Sequence, residues 1–453
     1  MLGVIAIIFT LLALMYLAYR GITVLVLAPL LAMLAAIMSG EIPALYALSS
    51  IFMPAAAGYI KSYFPVFLAG AIFGKLMGVT GAATSIAHFI SEKAGKKHAI
   101  AAVVIATSLL TYGGVSLFVV VFAMYPIGAM LYREANVPKR LLPAAIALGA
   151  FTFTMTAMPG SPQYLNTMPT KYFGTTIYAG FWLGIIGSAC MFFGGLWWLN
   201  RRAKKLNAAG EGYGIHENEG IHETFDNLPN FWISIAPILI VFVMNFFLTN
   251  YYFKMDSVIN KLKAYNPDAV VDGTWPVIIG LGVAIVFILI FLRKYLQNTN
   301  KQIFDGAVGS LLPIFNTGSE VGYGGVIKSL AAFGTVKAAI VAMAIPSVFK
   351  VAFSTTLLAG IVGSSSGGTA IALEVLAPEF LAMGIDPGAL HRIMLIAAGG
   401  LDSLPHCGAV ITLLSVCKLN HKESYLDIAA LTVVIPLITV VVVCLAYLLF
   451  GIV

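Results

Sequence analysis

The chain has 453 residues, 60% of them hydrophobic and only 10% charged, with a net charge of +7. Its mean hydropathy of +0.95 excludes an ordinary water-soluble domain and sets the expectation of an all-α polytopic membrane protein in contact with the lipid bilayer. The positive charge collects in short clusters, "SEKAGKK" (91–97), "NRRAKK" (200–205) and "RKYLQNTNK" (293–301), as it does at cytoplasmic loop ends under the positive-inside rule. No nucleic-acid partner is expected.

In chain order, clean apolar segments occur at 2–18, 22–38, 176–199, 231–249, 274–292 and 425–450. Between them lie segments interrupted by Gly, Pro or Ser, at 63–90, 98–132, 139–170, 302–333, 335–361, 369–384 and 388–417. About ten to fourteen membrane segments are expected, partial ones included, at roughly 20 residues per full helical crossing. The first segment lacks a basic leader and is followed after "YRG" (19–21) by a second, so it reads as a span, not a cleaved signal. Cys190, Cys407, Cys417 and Cys444 show no paired spacing, so neither a disulfide nor a metal site is expected.

A polar segment at 200–229 divides the chain into a first membrane half (1–199) and a second (230–453). "GIHE" occurs in it twice, at 214–217 and 220–223, without the HExxH spacing of a zinc site, and the segment reads as a solvated loop. A second exposed loop is expected at 251–273.

The halves resemble each other. "FPVFLAGAIFG" (64–74) aligns without gaps to "LPIFNTGSEVG" (312–322), matching Pro65 to Pro313, Phe67 to Phe315, Gly70 to Gly318 and Gly74 to Gly322. A glycine pair follows in each half (Gly113-Gly114, Gly367-Gly368), then an apolar stretch with Pro126 or Pro378. Next come "NVPKR" (136–140) or "DPGALHR" (386–392), and a second break, "AMPGSPQ" (157–163) or "GLDSLPHCG" (400–408). Duplicated halves with broken helices at corresponding places point to a secondary transporter's binding site. Broken helices expose backbone polar groups that lipid does not solvate, so they persist where they line a cavity enclosed by protein.

Four breaks carry the candidate site: "TYGGVS" (111–116), "MPGSPQ" (158–163), "GSSSGGT" (363–369) and "GLDSLPH" (400–406); "NTGSE" (316–320) is a fifth. Helix N-termini offer free N–H groups and partial positive charge to an anion, hydroxyls add donors, and Gly lets the backbone approach. The substrate-binding candidates are Ser364, Ser365, Ser366, Gly367, Gly368 and Thr369, at the start of a helix expected over 369–384. The opposing surface is expected from Thr111, Tyr112 and Ser116, with Gly113, Gly114 and Ser161 as further substrate-binding candidates, and the substrate hydroxyl is expected on side chains such as Thr111, Asn316 or Thr317. Titratable groups inside a membrane are costly and mark function, so Glu320, Asp402 and His406 are the candidates for proton coupling. No Arg in the apolar breaks clamps a dianion, which favours a monocarboxylate.

Gly363 to Gly367 also spells G-x-S-x-G with Asp402 and His406 downstream, as in a serine hydrolase. That elbow belongs on a strand-to-helix turn, whereas these flanks read as membrane helices, and no enzyme is expected. A phosphate-binding loop needs a Lys after the glycines, and "GSSSGGT" has none. A channel would need no coupling group, and its flux would survive Glu320→Gln.

Through "TYGGVSLFVVVFAMYPIGAMLYREANVPKRLLPAAIALGAFTFTMTAMPGSPQ" (111–163) and "GSSSGGTAIALEVLAPEFLAMGIDPGALHRIMLIAAGGLDSLPHCGAVITLL" (363–414), the chain resembles the gluconate permease (GntP) family of bacterial proton symporters. The resemblance spans nearly the whole chain, with 200–229 least typical, and the first block is similar to the branch serving short acids such as 3-hydroxybutyrate. It implies a multi-pass importer of small hydroxy-carboxylates in the bacterial inner membrane, driven by protons. It also implies kinship with the ion transporter superfamily, whose members build scaffold and transport domains from inverted repeats with re-entrant hairpins. Several of those are dimers with an elevator motion, so a homodimer is expected. Related transporters use Na⁺ with similar hydroxyl clusters, so both H⁺ and Na⁺ stand as coupling ions, with no other cofactor.

Overall fold

The computed structural model describes residues 2–20, 22–95, 98–115, 117–216, 227–265, 274–405 and 407–453. Among these the chain is helical throughout, with no strand. The first half runs α1 (Leu2–Tyr19), α2 (Val24–Ser39), α3 (Ala44–Val79), α4 (Ala82–Ala94), α5 (Ala99–Tyr112), α6 (Leu117–Glu134), α7 (Leu142–Ala150), α8 (Tyr164–Phe173) and α9 (Phe181–Ala208). The second runs α10 (Phe231–Asn250), α11 (Asp256–Tyr265), α12 (Trp275–Phe291), α13 (Thr299–Gly309), α14 (Leu311–Ser329), α15 (Ala331–Ala342), α16 (Ser347–Val362), α17 (Ser365–Ala382), α18 (Pro387–Ala398), α19 (Gly408–Val416) and α20 (His421–Phe450).

The helices Ala44–Val79, Phe181–Ala208, Phe231–Lys254 and His421–Phe450 are long and apolar enough to cross a bilayer, and shorter apolar helices such as Val24–Ser39 and Trp275–Phe291 accompany them. Large apolar side chains, among them Phe193, Trp197, Trp232, Val243, Ile290 and Leu449, are exposed along these helices. Exposure on that scale suits lipid rather than water, and the chain is a multi-pass membrane protein. At the centre lie α7, with every residue buried, and α18, buried from Ala389 to Ala398.

Local chemistry sets the helix ends. Gly363 ends α16 at φ +69°, its N–H donating to the Ala359 carbonyl at 2.9 Å, and Ser364 caps α17 by accepting from the Gly367 N–H at 3.2 Å. Those two residues alone join α16 to α17. Gly368 lies against Ala359, where an added Cβ would meet the Ala359 backbone, so the hairpin closes only with glycine there. Asp386 caps α18 through the N–H groups of Gly388 (2.7 Å) and Ala389 (3.1 Å), with Pro387 at the first helical position. Asn420 and Glu423 cap α20 reciprocally.

Packing pairs recur between the halves. α1 lies on α2 as α10 lies on α12, and α5 on α7 as α16 on α18; across the halves, α2 lies on α14 as α12 lies on α3. The buried Asp427 accepts from Arg202 Nε (2.8 Å) and Trp198 Nε1 (3.0 Å), fixing α9 to α20.

Three local expectations change. The helix expected over 369–384 begins four residues earlier, at Ser365, because Ser364 supplies the cap. The 200–229 segment is helical as far as Ala208, since "NRRAKKLNA" carries good helix formers. The 251–273 segment includes α11, an amphipathic helix, while 266–273 and the second "GIHE" lie outside the described residues.

Candidate functional site

A cavity of about 470 Å³ opens between the halves, within the range of roughly 300–1,000 Å³ typical of small-molecule sites. The first residues of four helices line it: Leu117 of α6, Tyr164 of α8, Ser365 of α17 and Gly408 of α19. Each break in the chain therefore delivers a helix N-terminus to one place. Among the described residues no side chain caps α8, while the Cys407 thiol sits against the first backbone N–H groups of α19, those of Ala409 and Val410. Each end carries about half a positive charge from its helix dipole.

Onto this wall come Ser364, Ser365, Ser366, Asn316, Thr317, Glu320, Asp402 and Ser403. The Ser364 and Ser366 hydroxyls are 3.0 Å apart, and Tyr164 lines the same cavity. Asp402 is buried and accepts from the Ser403 hydroxyl at 2.8 Å. Glu320 is 3% exposed, and its Oε2 has no hydrogen-bond partner among the described residues. One turn before it, Asn316 Oδ1 is likewise without a partner among the described residues, while the Thr317 hydroxyl donates to the Pro313 carbonyl at 3.1 Å. Glu320 and Asp402 are the carboxylates on the wall, and among the described residues no Lys or Arg lines it. The arrangement places N–H and O–H donors, which suit an anion, beside two carboxyl groups.

"NTGSE" is not a break. Residues 316–320 lie inside the continuous helix α14, where the Thr317 and Ser319 hydroxyls satisfy themselves on carbonyls four residues back. Gly367, Gly368 and Thr369 follow the cavity wall into α17; Thr369 is fully buried with an unpartnered hydroxyl.

The opposing surface expected from "TYGGVS" is built otherwise, and Ser161 lies off the cavity too. Thr111 is fully buried off the cavity, and the Tyr112 hydroxyl donates to the Pro159 carbonyl at 2.7 Å. Gly113 packs against Ile238, and Gly114 (φ +93°) faces Pro162. The Ser161 carbonyl accepts from Asn166 Nδ2 at 2.9 Å. The Tyr112 and Ser161 bonds, with that of Gln163 to the Thr111 carbonyl, tie the first-half breaks together, while Leu117, Phe151, Met155 and Tyr164 form the opposing wall. Ser116 and His406 lie outside the described residues.

Sequence reasoning missed Tyr164, Ser403 and Arg392. The Arg392 side chain is fully buried and donates to the carbonyls of Ala179 (2.8 Å), Ile177 (3.1 Å) and Thr156 (3.4 Å) and to Asn166 Oδ1 (3.2 Å). It braces the first-half break from α18 instead of clamping a ligand. The signal was "HR" in an otherwise apolar helix, since a buried Arg must find acceptors.

The model of the family described as "GntP family permease" matches residues 1–449. The chain is 41% identical over 442 residues to a protein of Bacillus subtilis (strain 168) named "Uncharacterized transporter YxjC", covering 93% of this chain and 94% of that one. It is 24% identical over 362 residues to an "Uncharacterized transporter" of Haemophilus influenzae, covering 79% and 78%. The chain belongs to the GntP permease family.

Proposed function

We propose that the protein is a secondary active transporter, a proton symporter importing a small hydroxy-monocarboxylate such as 3-hydroxybutyrate or gluconate across a bacterial inner membrane. The observation that carries this reading is the meeting of four helix N-termini with Glu320 and Asp402 on one cavity. The substrate carboxylate takes the N-terminus of α17 and the hydroxyls of Ser364 and Ser366; the substrate hydroxyl takes Asn316 or Thr317. An anion entering beside two carboxylates gathers like charges in a place of low dielectric. Arrival of a proton with the anion removes one of them, which is the physical basis for coupling.

We read the halves as inverted repeats, in a homodimer that moves its transport domain as an elevator. The recurring packing pairs and the shared order of breaks support the repeat; the dimer and the motion come from the family resemblance. Sodium coupling is the second reading, favoured by two unpartnered oxygens, Asn316 Oδ1 and Glu320 Oε2, one helical turn apart.

The test is uptake of radiolabelled 3-hydroxybutyrate and gluconate into proteoliposomes, with and without an inward proton gradient in sodium-free buffer. Gradient-driven accumulation of either acid supports the proton symporter. Accumulation only after Na⁺ is added overturns proton coupling, and accumulation of neither under any gradient overturns the substrate class.

A further inference from the structure

A second cavity, of about 270 Å³, adjoins the first and shares four lining residues with it, Leu117, Met155, Tyr164 and Pro313. Tyr164 is the largest of these. Its ring is braced by Phe67, centroids 4.2 Å apart, and on the far side it shares the wall of the first cavity with Ser366. One aromatic side chain therefore faces both cavities at once.

We propose that this second cavity is a further station for the transported carboxylate, and that Tyr164 is the movable partition between it and the serine-lined cavity. The inference rests on the proposed function for its ligand class, and on geometry alone for the partition. Three features support it. The wall is free of side chains where space is needed, because a Cβ added at Gly70 or Gly309 meets nothing within 4 Å. Its charge favours an anion: Lys75 and Asp305 line it, and Asp305 is already matched by Lys301 at 2.9 Å, leaving one positive charge in excess among the three. Tyr164 is also the first residue of α8, two residues before Asn166, which Arg392 and His391 hold, so the partition opens by rotation of the Tyr164 side chain about a fixed helix start.

Cys407 lines the serine-lined cavity and is buried, which makes it an internal reporter. The full-length protein is treated with a small charged methanethiosulfonate, and modification of Cys407 is followed by peptide mass spectrometry. Tyr164→Ala is expected to accelerate modification by roughly tenfold or more, since labelling tracks the population of the open form. Gly70→Leu in the same background is expected to remove that gain by filling the second cavity. Phe67→Ala, which withdraws the ring behind Tyr164, gives the same result if Tyr164→Ala fails to fold. No acceleration, or an acceleration that Gly70→Leu leaves untouched, overturns the partition.

Lys75→Gln tests the ligand class: it is expected to raise the KM for acid uptake while sparing the maximal rate, and an unchanged KM overturns the anion station. If the wild type takes up neither acid, the proposed function and the ligand class fall, while the labelling result still decides the partition.

Discussion

Arg392 Nη1 lies 3.2 Å from Asn166 Oδ1, joining a second-half helix to the helix that follows the first-half break. His391 beside it reaches the same oxygen from Nε2 at 3.2 Å and Thr175 Oγ1 from Nδ1 at 2.8 Å. Gly180, at φ +59°, makes room, since a Cβ there would collide with Arg392 and come within 2.6 Å of the Gly388 carbonyl. The helix start that bears Tyr164 is thus held by the other half of the chain.

Arg392→Met is expected to lower the melting temperature of the purified protein sharply. It strips donors from buried carbonyls at roughly 1–3 kcal/mol each. Arg392→Lys is expected to recover only part of the loss, because an ammonium does not reproduce the guanidinium fork. Thermal unfolding in detergent measures both.

Gly368→Ala is expected to destabilise the α16–α17 hairpin by more than the usual ~1–3 kcal/mol of overpacking, because its new methyl meets Ala359 backbone and not a movable side chain. Gly408→Ala is the matched control, with nothing within 4 Å of its added Cβ. Comparison of folded yields by size-exclusion profile distinguishes them.

Glu320→Gln and Asp402→Asn keep the shape of the cavity and remove its acids one at a time. At least one is expected to abolish proton-driven accumulation while sparing exchange of labelled for unlabelled acid. Counterflow and gradient-driven uptake, measured in the same vesicles, separate the two activities. Loss of both would mean the side chain binds substrate without carrying the proton.

Asp427→Ala leaves Arg202 and Trp198 facing a buried void, and breaking such a pair costs about 3–5 kcal/mol. The expected outcome is loss of folded protein. Arg202→Ala together with Asp427→Ala is expected to be milder than Asp427→Ala alone, as a double-mutant cycle on melting temperature will show.

The breaks were legible because Gly, Pro and Ser interrupt apolar runs at 113–114, 159–162, 363–364 and 400–405, and the helices do stop there. "NTGSE" misled because Thr and Ser bond back to their own helix, so polar composition does not force a break. The cavity's second wall was hidden for a different reason. Tyr164, Met155 and Phe151 read as ordinary apolar or aromatic positions, and only the fold turns them toward Ser366 and Glu320. Thr111 and Ser161 looked like ligands because they sit in glycine-bearing breaks, yet they are buried off the cavity and their carbonyls are taken by Gln163 and Asn166 in holding the breaks together.

The most direct measurement is a proton count on binding. Titration calorimetry of the purified protein with the transported acid, in two buffers of different ionisation enthalpy near neutral pH, gives the protons taken up per anion bound. Net proton uptake in the wild type, diminished in Glu320→Gln or Asp402→Asn, with affinity weakened in Ser366→Ala, is the expected result. Binding with no proton uptake, or affinity untouched by Ser366→Ala, would contradict an anion site coupled to protons in this cavity.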